Sequence, residues 1–183
     1  MKGIIHERPG VYSSYDASAA VRGGRAARTV GVAAKSASGT ANAAVRLTSY
    51  EMGLSAFGED AEGTPGMSAI LKLLFLGGAS TVVAVKVDED DYASAFRMLQ
   101  TVENLQVIVC DSGELTVQQA LRGSLESASA ARRERIAVVG MSDASTTDLT
   151  ERAKALNSER MVLVGPDVLD GAGKPVSGVF AAA

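Results

Sequence analysis

Four acidic residues form the densest group of potential metal ligands in the sequence. The run Asp88, Glu89, Asp90 and Asp91 offers carboxylate oxygens, which are the ligands that Ca²⁺ and Mg²⁺ prefer. An EF-hand loop, however, places its ligands at alternate positions around a central glycine, and this run has neither feature. The run also precedes a predicted helix, where negative charge interacts favourably with the helix dipole. The sequence therefore predicts a helix N-terminus here and no metal site.

Two residues are potential nucleophiles. Ser142 lies in the segment GMSDA between a predicted strand and a predicted helix, the setting of a nucleophile elbow, although Ala144 replaces the last glycine of that motif. A triad also needs a base, and the only histidine is His6, near the N-terminus. Cys110 ends an apolar strand, so a buried and inert thiol is expected. No catalytic set can be assembled, and the chain is predicted not to be an enzyme.

Phosphate-binding loops are the third possibility. No predicted strand-to-helix loop carries G-x-G-x-x-G, and Gly173–Lys174 lacks the remaining Walker A residues because Val168 and Pro175 occupy their positions. Two basic runs, Arg22–Arg28 and Arg132–Arg135, contain no aromatic residues. They are interpreted as a solvated helix end or an inter-subunit salt-bridge surface rather than a nucleic-acid site. No cofactor is expected.

Composition agrees with this absence of chemistry. Hydrophobic residues make up 46% of the 183 residues but aromatic ones only 4%, and the net charge is -3. Such a chain is globular and has no overall attraction for nucleic acid or anionic membrane. The single cysteine rules out an internal disulfide and fits a reducing cytoplasm. No signal peptide or membrane-spanning run is recognisable, so the chain is expected to be soluble and unprocessed, with no membrane insertion.

Two regions are expected along the chain. Residues 1–28 are interrupted by Pro9-Gly10 and Gly23-Gly24 and are interpreted as an extended N-terminal arm. Residues 29–183 are interpreted as one α/β core domain. Its strands are predicted at Thr29–Ala34, Val45–Thr48, Thr81–Val87, Gln106–Cys110, Arg135–Val139 and Arg160–Val164.

Helices are predicted between these strands. An amphipathic helix runs from Met67 to Phe75 and stops at Gly77-Gly78. Other helices are expected to begin at the capping residues Ser49, Asp90 or Asp91, Thr116, and Ser145 or Thr146. Short apolar strands that alternate with helices predict a Rossmann-like layered fold, with a mostly parallel sheet and flanking helices. After Pro166 the chain turns and begins a new apolar run, VSGVFAAA.

Motifs in this order resemble those of contractile tail sheath proteins. The matching segments are ERPGVYSSYDAS (Glu7–Ser18), TVGVAA (Thr29–Ala34), VRLTSYEMGLSAFGE (Val45–Glu59) and ILKLLFLGGASTVVAVKV (Ile70–Val87). The last is the most specific, since it combines an apolar helix, paired glycines and a strand that ends in a basic residue and Val. The segments QVIVC, RIAVVGM and RMVLVGP are similar to the rest of the sheath core. The family's usual proline is missing from the loop KSASGTANAA. Family members are also longer, so their C-terminal portion is expected to have no counterpart here.

The resemblance implies a structural role without cofactor or metal. Sheath subunits form a homo-oligomer of stacked helical rings around a tail tube protein, with baseplate and tail terminator proteins at the ends. Contraction of the sheath drives the tube through the envelope of the target cell. The implied location is the bacterial cytoplasm during assembly and the tail of a virion or injection particle at maturity.

The resemblance also implies a role for the arm. Family arms add strands to the sheets of neighbouring subunits, which is β-augmentation. The segment Lys2–Ser18 is accordingly expected to run extended and contact an adjacent subunit. Its predicted subunit-interface residues are Ile4, Ile5, Pro9, Val11 and Tyr12.

Two alternatives stay open on sequence grounds. The arm could instead fold back on its own core. The core could also be a Rossmann-like enzyme or small-ligand-binding domain whose site lies at the carboxyl ends of the strands, where doubly wound sheets bind ligands.

Overall fold

The computed structural model describes residues 29–61, 64–142, 145–169 and 175–183. In chain order the elements are β1 (Thr29–Ala34), β2 (Ala44–Leu47), α1 (Tyr50–Phe57), α2 (Met67–Leu76), β3 (Thr81–Lys86), α3 (Tyr92–Gln100), β4 (Val107–Cys110), α4 (Leu115–Ala130), β5 (Ile136–Gly140), α5 (Thr146–Leu156), β6 (Met161–Val164), β7 (Val168–Leu169), β8 (Pro175–Val176) and α6 (Gly178–Ala181).

Six strands form one sheet in the order β2-β3-β1-β4-β5-β6. All neighbours in it are parallel except β2, which runs antiparallel to β3 at one edge. The predicted α/β class and mostly parallel sheet are therefore confirmed. The four strands β3, β4, β5 and β6 lie in this single sheet, as the alternation of strands and helices predicted. Strand β1 lies inside it, between β3 and β4.

Each face of the sheet has its own apolar core, because successive strand residues point to opposite sides. One core contains Val85 and Ile108 from the strands with Phe96 from α3 and Leu121 from α4. The other contains Val32 and Val82 from the strands with Phe57 from α1, and with Ile70 and Leu71 from α2. The helices thus cover both sides of the central strands, as expected for parallel pairing.

Most helix starts are those that the capping residues predicted. The Ser49 hydroxyl accepts a hydrogen bond from the backbone N–H of Met52 at 3.3 Å. Asp91 accepts one from the N–H of Ser94 at 3.1 Å. Ser145 forms a reciprocal capping box with Asp148.

The prediction that Thr116 caps α4 was wrong. The helix begins at Leu115, with Glu114 in the capping position and no side-chain cap, so Thr116 lies within the first turn. Leu115 packs against the apolar core, which places the first helical turn earlier than the hydroxyl pattern indicated.

The segment after Pro166 forms the short antiparallel pair β7 and β8, followed by α6. The start of α6 packs directly on the end of β5. A Cβ atom built on Gly140 would lie only 1.9 Å from the carbonyl oxygen of Gly178. Only glycine allows this approach between the two backbones. No helix in the described ranges is long and apolar enough to cross a membrane.

Candidate functional site

The predicted interface residues of the arm lie outside the described residues. They are Ile4, Ile5, Pro9, Val11 and Tyr12. Their contact with a neighbouring subunit stays a prediction. The site that the structure does describe is the crevice at the carboxyl ends of β1 and β4, where the alternative enzyme or ligand-binding domain would have its ligand.

This crevice lies at the switch point of the sheet. From β1 the chain continues to β2 and β3 on one side, and from β4 it continues to β5 and β6 on the other. Doubly wound folds bind nucleotides at such a point. Here it contains a cavity of about 250 Å³ lined by Lys35, Asp60 and Asp111, among others.

The chain's own carboxylate, that of Asp60, fills the anion position at the N-terminus of α2. It accepts hydrogen bonds from the backbone N–H groups of Gly66 (2.8 Å), Ser68 (3.1 Å) and Ala69 (2.8 Å). Free N–H groups at a helix N-terminus are what a bound phosphate would use. Because Asp60 already satisfies three of them, a phosphate would have to displace a charged side chain of the protein itself.

A second carboxylate, Asp111, closes the same crevice from β4. It accepts hydrogen bonds from the Tyr92 hydroxyl at 2.6 Å and from the backbone N–H of Lys35 at 2.8 Å. Burial raises the pKa of Asp111, and burial likewise raises the pKa of Tyr92. The bond from Lys35 joins the end of β1 to the residue after β4. Asp111 therefore links the carboxyl ends of β1 and β4, the two strands at the switch point.

The acidic run before α3 is occupied by local contacts. Asp91 caps the helix, and the hydrogen bond from Ser94 lowers the pKa of Asp91. Asp90 pairs with the Lys35 ammonium at 2.6 Å, and this hydrogen bond raises the pKa of Lys35. The predicted helix N-terminus is thus confirmed. Within the described ranges, no three His, Cys, Asp or Glu side chains are grouped so as to hold a metal ion.

The two candidate nucleophiles are in different settings. Cys110 is buried in the core, and burial raises the pKa of its thiol to about 12, which confirms the predicted inert thiol. The hydroxyl of Ser142 forms a hydrogen bond with the hydroxyl of Ser177, just before α6. His6 lies outside the described residues.

The interpretation of Arg132–Arg135 as a solvated surface was wrong for Arg135. This side chain is buried, and its guanidinium donates to the carbonyl oxygens of Leu99 at 2.9 Å and Val102 at 3.2 Å. Carbonyl groups at the end of a helix lack partners within the helix, and here Arg135 supplies donors to the end of α3. Burial lowers the pKa of Arg135. The other basic run, Arg22–Arg28, lies outside the described residues.

A polar network at the ends of β4 and β5 had no signal in the sequence. The fully buried Gln118 donates to the carbonyl oxygen of Gly140 at 2.9 Å. Arg152 donates to the side-chain oxygen of Gln118 at 3.0 Å and to the carbonyl of Gly113 at 2.7 Å. Like Asp60 and Asp111, these residues bind other parts of the same chain.

Fold and crevice together define a Rossmann-like α/β core whose usual ligand position is filled by its own side chains. Among solved structures, this chain is similar to contractile sheath proteins. It shares 19% identity and a TM-score of 0.58 with the anti-feeding prophage helical sheath in its contracted state, covering 97% of this chain and 51% of that one. No protein-family model and no curated protein matches the sequence.

Two sheath tail proteins from bacteria are similar as well. The one from Desulfitobacterium hafniense has 9% identity and a TM-score of 0.61, with 94% of this chain and 60% of that chain covered. The one from Listeria innocua has 11% identity and a TM-score of 0.60, with 91% and 57% covered. The resemblance that the motifs indicated is thus confirmed for the fold, and the chain spans between half and three-fifths of each of these structures.

Proposed function

We propose that this chain is a structural subunit of a contractile tail sheath, which self-assembles around a tail tube and contracts to drive it through the envelope of a target cell. One observation carries the proposal. Nearly the whole chain, 97% of it, aligns with a subunit of a helical sheath, at a TM-score of 0.58. The order of the sequence motifs, which begins before the described core, supports the same family independently.

The proposal includes partners and location. The subunits form stacked helical rings that contact the tube protein and the baseplate and terminator proteins, after assembly in the bacterial cytoplasm. A contact with the baseplate is supported by similarity to two structures of the anti-feeding prophage baseplate, at TM-scores of 0.57 and 0.52. The closed switch-point crevice supports a role without catalysis, because Asp60 and Asp111 occupy the positions that a ligand would need.

The proposal also includes the arm. Residues 2–18 run extended and join the sheet or flank of an adjacent subunit. The outer strands of the sheet, β2 and β6, support this idea, because an edge strand offers main-chain groups to an added strand. The Val162 side chain of β6 is half exposed and would be covered in such a contact.

Electron microscopy of the full-length gene product tests the function. Negative staining is expected to show rings or tubes, whereas a small closed oligomer that binds a nucleotide saturably would favour the enzyme alternative. Deletion of residues 2–18 should abolish polymerisation and leave the thermal unfolding of the core nearly unchanged.

Paired substitutions give the arm experiment a matched control. Replacing Val11 and Tyr12 by Asp should prevent assembly, while replacing Ser13 and Ser14 by Asp should not, because only the first pair removes apolar contact. A deletion of residues 2–18 that destabilises the core by several kcal/mol and leaves assembly intact would make the arm an internal brace.

A further inference from the structure

Three arginines line one cavity at the amino ends of β4 and β5. The cavity has a volume of about 360 Å³ and is formed by the loop from α3 to β4 and the loop from α4 to β5. The first loop contributes Glu103, and the second contributes Arg132, Arg133 and Arg135. Positive charge is therefore concentrated at this point of a chain whose net charge is -3.

Arg135 lies at the base of this cavity, since the residue is only 4% exposed. Two of its five N–H donors bind the carbonyl oxygens of Leu99 and Val102 at the end of α3. Its Nε–H is buried as well, but it has no acceptor among the residues that the structure describes. A buried donor without an acceptor is unfavourable, and arginine does not lose its proton in proteins. An additional acceptor beside Arg135 would therefore be stabilising.

The positive charge of the cavity is not neutralised by the described carboxylates. Arg133 is exposed and donates to the carbonyl oxygen of Gln100 at 3.0 Å. Burial, and to a lesser extent the nearby charge of Arg133, lowers the pKa of Arg135. In the described ranges no Asp or Glu forms an ion pair with Arg132, Arg133 or Arg135. Like charges are thus held close together without a counterion.

Two glutamates also line the cavity, but neither one pairs with these arginines. Glu134 pairs with Arg160 and accepts a hydrogen bond from the Ser129 hydroxyl at 3.0 Å. Glu103 is exposed and forms no ion pair within the described ranges. Glu134 is therefore committed to other partners, and Glu103 is the one remaining carboxylate beside the three guanidinium groups.

We propose that this cavity binds one small oxyanion of the phosphate or sulfate class. The planar fork of a guanidinium group matches the oxygens of such an ion and binds them through charge-assisted hydrogen bonds. Arg135 supplies buried donors at the base, and Arg132 and Arg133 supply exposed ones on the side of the solvent. Because the ion carries several oxygens, it accepts from more than one guanidinium group at once. The inference does not rest on the sheath function.

Titration calorimetry of the full chain with inorganic phosphate tests the inference. At constant ionic strength, set with chloride, binding should saturate at one phosphate per chain. Arg133→Gln should weaken this binding at least tenfold, because it removes an exposed guanidinium group from the cavity. Arg97→Gln is the matched control, since Arg97 is also exposed but does not line the cavity. The control should bind phosphate as the unsubstituted chain does.

Removal of the remaining negative charge should have the opposite effect. Glu103→Gln should tighten phosphate binding at least twofold, because it removes a carboxylate that repels the ion. Glu59→Gln changes the net charge equally at an exposed position that does not line the cavity, and it should leave the affinity unchanged.

Arg135→Lys separates the guanidinium fork from its charge. Lysine keeps the positive charge but presents it as a point charge without the fork. We expect phosphate to bind this variant at least fivefold more weakly. If it does not fold, the substitutions at the exposed positions Arg133 and Glu103 decide the question.

Other outcomes would overturn the inference. Binding that does not saturate, or that is equally strong in the Arg133→Gln and Arg97→Gln chains, would mean that phosphate acts only through the net charge. Acetate that binds as tightly as phosphate would contradict the proposed ion class. An affinity that falls as the protein concentration rises would assign the cavity to a carboxylate of a second copy.

Discussion

The two ends of the sheet differ in what occupies them. At the carboxyl ends of the strands, Asp60, Asp111 and Gln118 bind backbone and side-chain groups of the same chain. At the amino ends, a groove beside Val107 and Val138 is apolar and only partly filled by described residues. A Rossmann-like sheet usually binds ligands at the first end. In this chain that end is used for internal bonding, and an apolar surface lies at the other.

The close contact between α6 and β5 should give the largest effect at the carboxyl end. Gly140→Ala would place a Cβ atom 1.9 Å from the carbonyl oxygen of Gly178, so the helix must move away. We expect a loss of about 3 kcal/mol in the free energy of unfolding, at the upper end of overpacking effects. Urea denaturation measures this change in the free energy of unfolding.

The matched control for this substitution is Gly123→Ala in α4. Nothing lies within 4 Å of a Cβ atom at Gly123, so this change should stabilise the helix by about 0.5–1 kcal/mol. If both substitutions shift the unfolding midpoint equally, the packing of α6 on Gly140 does not contribute as described.

Removal of the Asp60 carboxylate should have the next largest effect. Asp60→Ala leaves the N–H groups of Gly66, Ser68 and Ala69 without their acceptor, which should cost about 2 kcal/mol after partial replacement by water. Glu59→Ala, at an exposed neighbouring position, should change stability by less than about 0.5 kcal/mol. Equal effects of the two substitutions in chemical denaturation would remove Asp60 from its assigned role.

The smallest expected effect is on the pKa values of two carboxyl groups, which should be shifted in opposite directions. Burial raises the pKa of Asp111, so the stability linked to its protonated form is lost as pH rises from about 3.8 to the raised value. Hydrogen bonds from Ser145 lower the pKa of Asp148, so its contribution is present above about 3.8 and lost as pH falls through the lowered value.

Carboxyl ¹³C NMR titration distinguishes the two groups. The midpoint of Asp111 should lie above 3.8 and that of Asp148 below it. Ser145→Ala should move only the midpoint of Asp148, upwards towards its ordinary value. Coincident midpoints in the unsubstituted protein would contradict the environments described for both residues.

The sequence allowed much of the fold to be predicted, because the signals are local. Alternation of apolar strands and amphipathic helices located the sheet, and short-range capping by Ser49, Asp91 and Ser145 located helix starts. The start of α4 was missed because the packing of Leu115, a tertiary contact, outweighs the hydroxyl of Thr116.

The part of the crevice held by Asp111 could not be predicted, because its bonds join distant parts of the chain. Asp111 is 76 positions from Lys35 and 19 positions from Tyr92, and outside the crevice Arg135 is 36 positions from Leu99. A lone aspartate or arginine in a polar segment carries no sign of its remote partner. The sequence could exclude familiar ligand motifs, but it could not show that the ligand position is filled from within.

The interior position of β1 has a mechanical consequence. This strand pairs in parallel with β3 over Thr29–Ala34 and with β4 over Val30–Ala33, and the N-terminal segment enters the core through it. Tension on that segment along the strand axis loads both ladders of hydrogen bonds in shear, so the bonds share the load and are not opened one by one. An edge strand pulled sideways would instead unzip. A pull on the N-terminus is therefore transmitted to the middle of the sheet and not to one of its edges.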